Sequence, residues 1–454
     1  MNTLTDRDKD IEKANRPGKL AMVLHEHYRG KISVSLKAPV RNFSDFAIWY
    51  TPGVAQPCRD IHAHPERVWD HTNRANTIAV ISDGTRVLGL GDIGPEAAMP
   101  VMEGKALLFK YLGGVDAYPL CLDAPDPDEF IRIVKSLEPS LGGINLEDIA
   151  TPKCFRILDT LREEMDIPVW HDDQQGTATV EVAGFINAAK LVGKKHGDMR
   201  ITMLGAGAAN LRIADILIQI GVDPKNLIMV DSKGVLGPDR DDINRIRETN
   251  PEKYRACMEY GGSYHDMPVS RSTEGSDALL CASTPVPGTV TKDMIRLMSD
   301  DSIVFAAANP EPEIWPWDAK EAGAYVVATG RSDFPNQINN SLGFPGIFRG
   351  TLDVRAVTIT DNMCIAAARE LAKVAEDKGL TPDYIIPSMD EWEVFPREAA
   401  AVGIQAQNDD MARLRRSRSE LLEIATEMIR ISRKDTEARM RDGFIPPAPD
   451  GTTL

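Results

Sequence analysis

The sequence predicts an α/β protein in which a parallel sheet is covered by helices on both faces. Three observations lead to this fold class. From about residue 130, amphipathic helices alternate with short apolar strands. A glycine-rich turn follows one of these strands at 205–209, and two consecutive strands end in pairs of acids. A chain of 454 residues has room for two or three domains, at about 100–200 residues each.

The predicted strands are short runs of aliphatic and β-branched residues. In chain order they are 142–146, 167–170, 201–204, 226–230, 278–283, 303–308 and 324–330. Apolar periodicity predicts helices at 152–165 and 180–195. The composition changes near residue 386, and residues 413–434 predict a long amphipathic helix that precedes a proline-rich tail. We expect this helix to pack on the body of the protein or on a second subunit.

Composition excludes several classes of partner. The formal net charge of −16 argues against nucleic acid, because phosphates favour a basic surface. No apolar run approaches the roughly 18 residues of a membrane span, and the charged N-terminus lacks the apolar stretch of a secretory signal. The six cysteines are scattered without a C-x-x-C pair, which suits a reducing compartment. We therefore expect a cytoplasmic protein with no nucleic-acid or membrane partner.

Two glycine loops compete for the role of nucleotide site. RVLGLGDIG (86–94) matches the G-x-G-x-x-G pattern in full, whereas ITMLGAGAAN (201–210) has only its first two glycines. A phosphate cradle needs a strand before the glycines, a helix after them, and a second strand ending in an acid about 20 residues later. The second loop has all of these, with Asp231 placed 21 residues after Asn210.

The first loop contains an acid, Asp92, which would face the pyrophosphate, and SDGT at 82–85 interrupts the preceding strand. The sequence therefore predicts a Rossmann-type nucleotide site at the second loop. Its residues are Gly205, Ala206, Gly207, Ala208 and Ala209, with Asp231 at the ribose.

Two consecutive predicted strands end in paired acids, Glu147-Asp148 and Asp172-Asp173. A right-handed β-α-β connection places such strand ends on one edge of the sheet, where ligands bind. Four carboxyl groups there would repel one another unless a cation or a proton relieved them, and oxygen ligands without cysteine suit Mg²⁺ or Mn²⁺. The alternative is that one pair caps a helix and the other is solvated. Beside a nucleotide loop, we favour the metal site.

Several stretches, taken in order, resemble the malic enzyme family in its smaller, prokaryotic form. They are WYTPGVA (49–55), SDGTRVLGLGDIGPEAAMPVMEGKALLF (82–109), GGINLEDIATPKCF (142–155), PVWHDDQQGTA (168–178), LGAGAAN (204–210), ANPEPEI (308–314) and PNQINNSLGFPGIFRG (335–350). The resemblance implies oxidative decarboxylation of L-malate to pyruvate and CO₂ with reduction of NAD⁺ or NADP⁺, dependent on Mg²⁺ or Mn²⁺. It also places GLGDIG in the substrate domain rather than in the nucleotide-binding domain.

The resemblance further implies an organisation in three parts and a homodimer or larger homo-oligomer. Residues 1–170 are expected to form an α/β substrate and dimerisation domain, and residues 171–385 the Rossmann-type NAD(P)-binding domain. Residues 386–454 are expected to form the C-terminal helical segment. In an oligomer of this family, an active-site residue such as Tyr50 can come from the partner subunit.

The resemblance also assigns catalytic roles to residues. Lys105, in the apolar stretch MEGKALLF, resembles the base that takes the proton of the C2 hydroxyl, and we expect burial to lower the pKa of its ammonium group. Tyr50 matches the general acid that protonates C3 of the enolate. Asp172 is expected to orient Lys105 or a metal ligand.

The remaining site residues follow from the same resemblance. Glu147, Asp148 and Asp173 match the metal ligands. The amide side chains expected to hold the malate carboxylates are Asn309 and Asn340, with Asn339 beside the latter, and Asn309 is also expected among the coenzyme-binding residues. Arg86 can clamp a carboxylate bidentately. It matches an arginine of the larger malic enzymes, whereas the small type more often resembles GTAVLGLG.

Two questions stay open at the level of sequence. Asp231 favours the free ribose of NAD⁺, but Lys233 could instead bind the 2′-phosphate of NADP⁺, so NAD⁺ is expected with NADP⁺ as the alternative. The same scaffold could also act as a malolactic or oxaloacetate-decarboxylating lyase, or oxidise another 2-hydroxy diacid. A catalytically silent nucleotide-binding regulator is disfavoured because Tyr50, Lys105 and Asp173 are all present.

Overall fold

The computed structural model describes residues 6–262, 267–282 and 288–452, and these contain one parallel sheet and one mainly parallel sheet. The first sheet has the strand order β2-β1-β3-β4, and all of its pairs are parallel. Its strands are β1 (Thr77–Ser82), β2 (Asp116–Cys121), β3 (Gly143–Leu146) and β4 (Val169–His171). Because β3 and β4 are neighbours, the acids that follow them lie at the same edge of the sheet.

The second sheet has six strands in the order β10-β9-β8-β5-β6-β7. They are β5 (Ile201–Leu204), β6 (Leu227–Asp231), β7 (Gly234–Val235), β8 (Ala278–Cys281), β9 (Ile303–Ala306) and β10 (Val326–Thr329). Only β7, at the edge, runs antiparallel to its neighbour. The strand order reverses beside β5, which creates the crevice where doubly wound sheets bind nucleotides. The predicted α/β class with a Rossmann-type domain is confirmed.

Helices cover both sheets. Before the second sheet they are α1 (Asp6–Tyr28), α2 (Asp45–Trp49), α3 (Ala55–Ala63), α4 (Val68–His71), α5 (Pro95–Gly113), α6 (Pro127–Ser136), α7 (Lys153–Glu164) and α8 (Thr177–Leu191). From the second sheet onwards they are α9 (Ala208–Gln219), α10 (Ile243–Thr249), α11 (Pro251–Glu259), α12 (Lys292–Arg296), α13 (Pro316–Glu321), α14 (Phe344–Asp353), α15 (Asp361–Lys378), α16 (Val394–Asn408) and α17 (Arg418–Arg441). None of these helices has the length and apolar character that crossing a bilayer requires.

One continuous apolar core joins the two sheets. It runs from β1 and α5 through the almost completely buried helix α8 to β5, α9 and the C-terminal helices. Smaller cores fill the outer faces, where α6 and α7 cover the first sheet and α12 and α13 cover the second. The two sheets are therefore fixed to each other by buried side chains.

The C-terminal helices pack against α5, the helix that carries Lys105. α17 packs on α16 and on α5, and Ser432 donates a hydrogen bond to the carbonyl of Lys110 at 2.7 Å. At the end of α5, Gly114 has φ +63°, and a Cβ there would lie 2.8 Å from the carbonyl oxygen of Met428. Glycine is needed at this position for both reasons.

The observed elements follow the predicted ones with shifted ends. The predicted C-terminal helix 413–434 instead begins at Arg418, where Ser417 and Glu420 form a capping box, and it continues to Arg441. The strand predicted at 278–283 ends at Cys281, and its last residue lies outside the described part of the chain. The parallel sheet also starts earlier than the alternation expected from residue 130, since β1 and β2 precede it. β2 contains a proline and is only half-buried, so its apolar pattern is weak.

Candidate active site

Lys105 projects from the middle of α5 into a pocket of acids. Its ammonium Nζ lies 3.2 Å from Oε1 of Glu147 and forms a closer ion pair with Oδ2 of Asp172. The ammonium also sits 4.6 Å from the ring centroid of Phe344, a cation–π contact. The Lys105 side chain is 12% exposed, while the side chains of both acids are almost fully buried. The ammonium group of Lys105 is thus held in position by its two ion pairs and by its contact with the Phe344 ring.

The expected direction of the Lys105 pKa was wrong. Burial does lower the pKa of this ammonium, but the charges of Asp172 and Glu147 and the hydrogen bond to Asp172 outweigh it, so the pKa of Lys105 is raised. An opposite charge in contact stabilises the charged form, and the sequence could not show how many such charges would surround the lysine.

The acids after β3 and β4 converge. Ligand oxygens of Glu147, Asp148 and Asp173 all lie within 4.8 Å of one another. The backbone N–H of Asp148 donates to Oδ2 of Asp173 at 2.9 Å, which fixes the two strand ends to each other. Asp148 has φ +55°, and its Oδ2 is buried without a hydrogen-bond partner among the described residues. An unpartnered carboxylate oxygen in a cluster of carboxylates fits a hard divalent cation.

The pKa shifts of the acids in this cluster also indicate a site for a divalent cation. Burial and the charges of neighbouring acids raise the pKa of Asp148, with Asp173 the principal neighbour, and they raise the pKa of Glu147 as well. A single ammonium group, that of Lys105, faces four carboxyl groups. Four carboxyl groups with one ammonium group are stabilised either by taking up protons or by binding a cation.

Contacts with several neighbouring residues fix the position of Asp172. It begins a π-helical turn, Asp172–Gly176, and accepts a hydrogen bond from the indole Nε1 of Trp170 at 3.1 Å. A Cβ on Gly176 would lie 2.0 Å from Oδ1 of Asp172 and 3.3 Å from Cβ of Asn340, so only glycine fits there. These contacts leave Asp172 able to orient Lys105, and they place Asn340 beside the lysine–acid pair.

The first glycine loop, at 86–94, lies next to the acids that follow β3. The backbone N–H of Arg86 donates to the carbonyl of Asp148 at 3.0 Å, and that of Leu88 donates to its carboxylate Oδ1 at 3.3 Å. A Cβ on Gly89 would touch the carbonyl of Asn309 at 3.0 Å. The structure therefore brings the backbone of Arg86 close to the acid cluster and to the Asn309 loop.

The three amide residues differ in how free their side chains are. Nδ2 of Asn309 lies 3.5 Å from the carbonyl of Ala307. Asn339 uses its Oδ1 to cap a short turn at Ser341 and donates to the carbonyl of Gly330. The amide of Asn340 has no hydrogen bond within the described ranges. Asn340 is therefore better placed to bind a ligand than Asn339, whose amide is already used.

Tyr50 is not brought to the lysine. It lies at the end of α2 with its side chain 71% exposed, and no described residue hydrogen-bonds its hydroxyl group. The surrounding segment 34–54, here called the N-terminal arm, exposes further large apolar side chains: Val34, Leu36, Val40, Phe43, Phe46, Ile48, Trp49 and Val54. Monomeric proteins rarely expose large apolar patches, so this concentration of exposed apolar side chains indicates an interaction surface.

The predicted nucleotide loop has the geometry of a phosphate cradle. It connects β5 to α9, with Gly205 at φ +98° and Gly207 at the N-cap of α9. A Cβ on Gly207 would meet nothing within 4 Å, so the backbone is open to an approaching ligand. In place of the third glycine, Asn210 donates to the carbonyls of Leu204 and Gly205 and braces the loop. The first amides of α9, at Ala208 and Ala209, then present a helix N-terminus to phosphate.

Asp231 ends β6 beside this loop, but its carboxylate is already engaged by Arg240 and Lys253. Neither of these two cations is predicted from the sequence. They lie 9 and 22 positions after Asp231, and no spacing rule connects them to a strand end. Lys233, which the sequence suggested for a 2′-phosphate, pairs with Asp242 at 2.8 Å.

Together, the fold and the nucleotide loop define an α/β protein with a Rossmann-type coenzyme-binding domain. Comparison with known proteins gives the family. A family model described as "Malic enzyme, N-terminal domain" matches residues 29–162, and one described as "Malic enzyme, NAD binding domain" matches residues 174–406. The chain belongs to the malic enzyme family.

Similar proteins are named as NAD-dependent and as NADP-dependent malic enzymes. A "Bifunctional malic/malolactic enzyme" of Bacillus subtilis is 48% identical over 394 residues, covering 87% of this chain and 94% of that protein. An "NADP-dependent malic enzyme" of Halomonas elongata is 42% identical, covering 85% and 92%. The crystal structure of Entamoeba histolytica malic enzyme aligns with a TM-score of 0.96 and 44% identity, covering 100% of this chain and 94% of that one.

Proposed function

We propose that the protein oxidises L-malate and decarboxylates the product, yielding pyruvate, CO₂ and a reduced nicotinamide coenzyme, with Mg²⁺ or Mn²⁺ bound by Glu147, Asp148 and Asp173. The observation that carries this proposal is the contact of one buried lysine, Lys105, with acids that end two neighbouring strands. Membership of the malic enzyme family supports it.

The first half of the reaction needs a base. As the C2 hydride of malate leaves, Lys105 takes the proton of the C2 hydroxyl, and Asp172 holds the amine at the required position. A nicotinamide coenzyme whose pyrophosphate is held at the Gly205–Ala209 loop would supply the hydride acceptor. A divalent cation held by the three carboxylates would supply Lewis acidity to the substrate.

The raised pKa of Lys105 is consistent with this role once the acids are neutralised. The carboxylates of Asp172 and Glu147 keep the lysine charged, against the effect of its burial. Charge bound at Glu147, Asp148 and Asp173 reduces that stabilisation, so burial then lowers the pKa of Lys105 toward the working range of a base. The protonation state of Lys105 therefore depends on the charge bound at the metal ligands.

The second half of the reaction needs an acid. When the C3–C4 bond breaks and CO₂ departs, C3 of the resulting enolate takes a proton, which we assign to the hydroxyl of Tyr50. The proton that Lys105 took from the C2 hydroxyl then returns to Tyr50, so both residues regain their starting protonation states and the cycle is balanced. Asn309, Asn340 and Arg86 are assigned to the two carboxylates of malate, because their backbones surround the lysine–acid cluster.

Because Tyr50 is exposed, we propose that it acts across a subunit interface. The apolar N-terminal arm supplies a surface for a second copy, in a homodimer or larger homo-oligomer. The test mixes two variants, Tyr50→Phe and Lys105→Ala, under conditions that exchange subunits. In a statistical mixture half of the dimers are hybrids with one intact site, so about a quarter of wild-type activity is expected to return. No recovery would place Tyr50 in its own subunit's site or outside catalysis.

The experiment for the proposed function follows reduced coenzyme by absorbance with L-malate, Mn²⁺ and either NAD⁺ or NADP⁺, while pyruvate, lactate and CO₂ are measured. Malate-dependent and metal-dependent formation of reduced coenzyme with equal pyruvate is expected. The name of the Bacillus subtilis relative favours one second candidate, conversion of malate to lactate and CO₂ with the coenzyme retained. Lactate without net reduced coenzyme would select that candidate.

A further inference from the structure

The loop after β9, residues 307–313, carries Asn309, and it is held against the segment 330–340 that follows β10. The guanidinium Nη1 of Arg331 donates a hydrogen bond to the carbonyl of Pro310. A Cβ on Gly330 would lie 2.5 Å from Nδ2 of Asn309. The bend at Asn309 and Pro310 is therefore packed directly against the start of the segment that leads to Asn340.

Two further contacts fix the orientation of Arg331. Its Nε and Nη2 donate to the two carboxylate oxygens of Asp333, both at 2.9 Å, which makes a bidentate ion pair. Its guanidinium lies 5.6 Å from the ring centroid of Trp315, within the range of a cation–π contact. Only 11% of the arginine side chain is exposed. The donor that reaches the Pro310 carbonyl is thus a planar group whose position the protein itself determines.

An aromatic cluster joins the same two segments. Trp315 and Trp317, at the start of α13, stack with ring centroids 4.8 Å apart and an angle of 7° between the rings. The ring of Phe334, which follows β10, lies 6.1 Å from that of Trp315 and 5.6 Å from that of Trp317. The loop that carries Asn309 and the segment after β10 are therefore joined by ring packing as well as by the arginine.

We propose that Arg331 is a positioning residue that fixes the distance between the side-chain amides of Asn309 and Asn340 and thereby sets the affinity for a four-carbon dicarboxylate. The two amides lie on the two segments that Arg331 joins. The inference deepens the proposed function and rests on it, because those amides are there assigned to the carboxylates of malate. Arg331 acts through Asn309 and does not itself bind the substrate.

The contacts of the loop show why Asn309 depends on its neighbours. The side chain of Asn309 makes only a long contact, 3.5 Å from Nδ2 to the carbonyl of Ala307, so the position of the amide is set by the backbone around it. Oε2 of the buried Glu313 accepts from the N–H of Ala308 at 3.0 Å and holds the loop before Asn309. Arg331 holds it after Asn309. Without the arginine, one end of a bound dicarboxylate would lose its fixed donor.

The binding test titrates the full chain with succinate, an unreactive four-carbon dicarboxylate, by calorimetry in the presence of Mn²⁺ and NADH. Arg331→Met removes the guanidinium and keeps much of the apolar volume. It is expected to weaken succinate binding roughly 10-fold, the lower end of the value of a hydrogen bond to a charged group. Arg331→Lys can still donate to the Pro310 carbonyl and is expected to recover part of the loss.

A double-mutant cycle with Asn309→Ala separates positioning from a purely structural role. If Arg331 acts through Asn309, Arg331→Met is expected to weaken succinate binding by less than about 2-fold further once Asn309 is alanine, because the effects of coupled residues do not add. A purely structural role predicts the same loss in both backgrounds, or a lower unfolding temperature with unchanged affinity. Either result would overturn the inference.

Two other variants guard against misfolding and non-specific effects. Asp333→Asn frees the guanidinium without removing apolar volume and is expected to weaken succinate binding in the same direction by a smaller factor. The matched control is Arg397→Met, which removes a partly buried arginine that pairs with Glu370 and Asp377 between α15 and α16. This control is expected to leave succinate affinity unchanged.

Steady-state kinetics supply the catalytic test. In Arg331→Met, KM for L-malate is expected to rise roughly 10-fold while kcat stays within about 3-fold, since a contact made equally in the ground and transition states changes KM alone. A fall in kcat with unchanged KM would overturn the inference. Succinate binding that depends on Arg331 without any malate oxidation would refute the proposed function and leave the inference standing. A wild type that binds no dicarboxylate would overturn both.

Discussion

Replacing Asp148 by asparagine probes the acid cluster with little change of shape. The residue lies in the left-handed region at φ +55°, which asparagine adopts readily. Its Oδ1 accepts from the N–H of Leu88, and an amide oxygen can accept the same bond. Its Oδ2 has no hydrogen-bond partner among the described residues. The substitution therefore removes a charge and a metal ligand while keeping the packing.

The size of the expected change in stability follows from the pKa of Asp148. Burial, with the neighbouring charge of Asp173, raises the pKa of Asp148 to about 8. A carboxyl whose pKa is raised on folding destabilises the folded state as pH rises from the unfolded pKa, near 4, to the folded one. Each pKa unit corresponds to about 1.4 kcal/mol, so the cost reaches roughly 5 kcal/mol at and above pH 8 and falls to roughly 1–2 kcal/mol at pH 5.

The assay is thermal unfolding in chelator and in Mn²⁺, at pH 5 and pH 8. In chelator at pH 8, Asp148→Asn is expected to unfold about 5 °C above wild type, since one kcal/mol corresponds to about 1 °C at this chain length. At pH 5 the difference shrinks to about 1–2 °C. Mn²⁺ at about 100 times its dissociation constant is expected to stabilise wild type by about 2.7 kcal/mol, and the variant much less. Identical unfolding in chelator at pH 8, or equal stabilisation by Mn²⁺, would refute the reasoning.

Three further substitutions test the site and the fold. Gly176→Ala places a Cβ 2.0 Å from Oδ1 of Asp172 and is expected to lower kcat at least 10-fold by moving that carboxylate; unchanged kcat would count against its orienting role. Gly207→Val fills space that is open within 4 Å, so the protein is expected to fold normally but to bind NADH at least 10-fold more weakly by fluorescence titration. Ile429→Ala, in the buried face of α17, is expected to lower the free energy of unfolding in denaturant by about 2–5 kcal/mol. Ile431→Ala, at a position that is 51% exposed, is expected to lower it by less than about 0.5 kcal/mol. Equal losses for the two variants would contradict the observed packing.

The acid cluster could be anticipated from the sequence because parallel topology does most of the positioning. Strand ends that carry Glu147-Asp148 and Asp172-Asp173 are separated by one helix, and a right-handed connection makes such strands neighbours. Topology alone does not distinguish the two glycine loops, since the loop at 86–94 also lies between a strand, β1, and a helix, α5, with β2 to follow. The loop at 205–209 could be chosen because it contains no acid and the strand after it ends in Asp231.

The properties that depend on distant contacts could not be anticipated. The pKa of Lys105 goes in the opposite direction to the one expected from burial, because Asp172 and Glu147 reach it from two other elements. The neutralisation of Asp231 by Arg240 and Lys253 also arises from residues beyond the strand. Charge balance is a three-dimensional property, and sequence spacing reports it only within one element.

The central claim is that the lysine–acid cluster around Lys105 carries out malate oxidation. Its most direct test measures reduced coenzyme, pyruvate and CO₂ together for wild type, Lys105→Ala and the matched control Lys110→Ala, which lies on the same helix and pairs with Asp116 away from the cluster. The account predicts equal amounts of the three products from wild type and control, and a rate at least 100-fold lower for Lys105→Ala, as removal of a general base requires. Turnover by Lys105→Ala within a few-fold of wild type would contradict it.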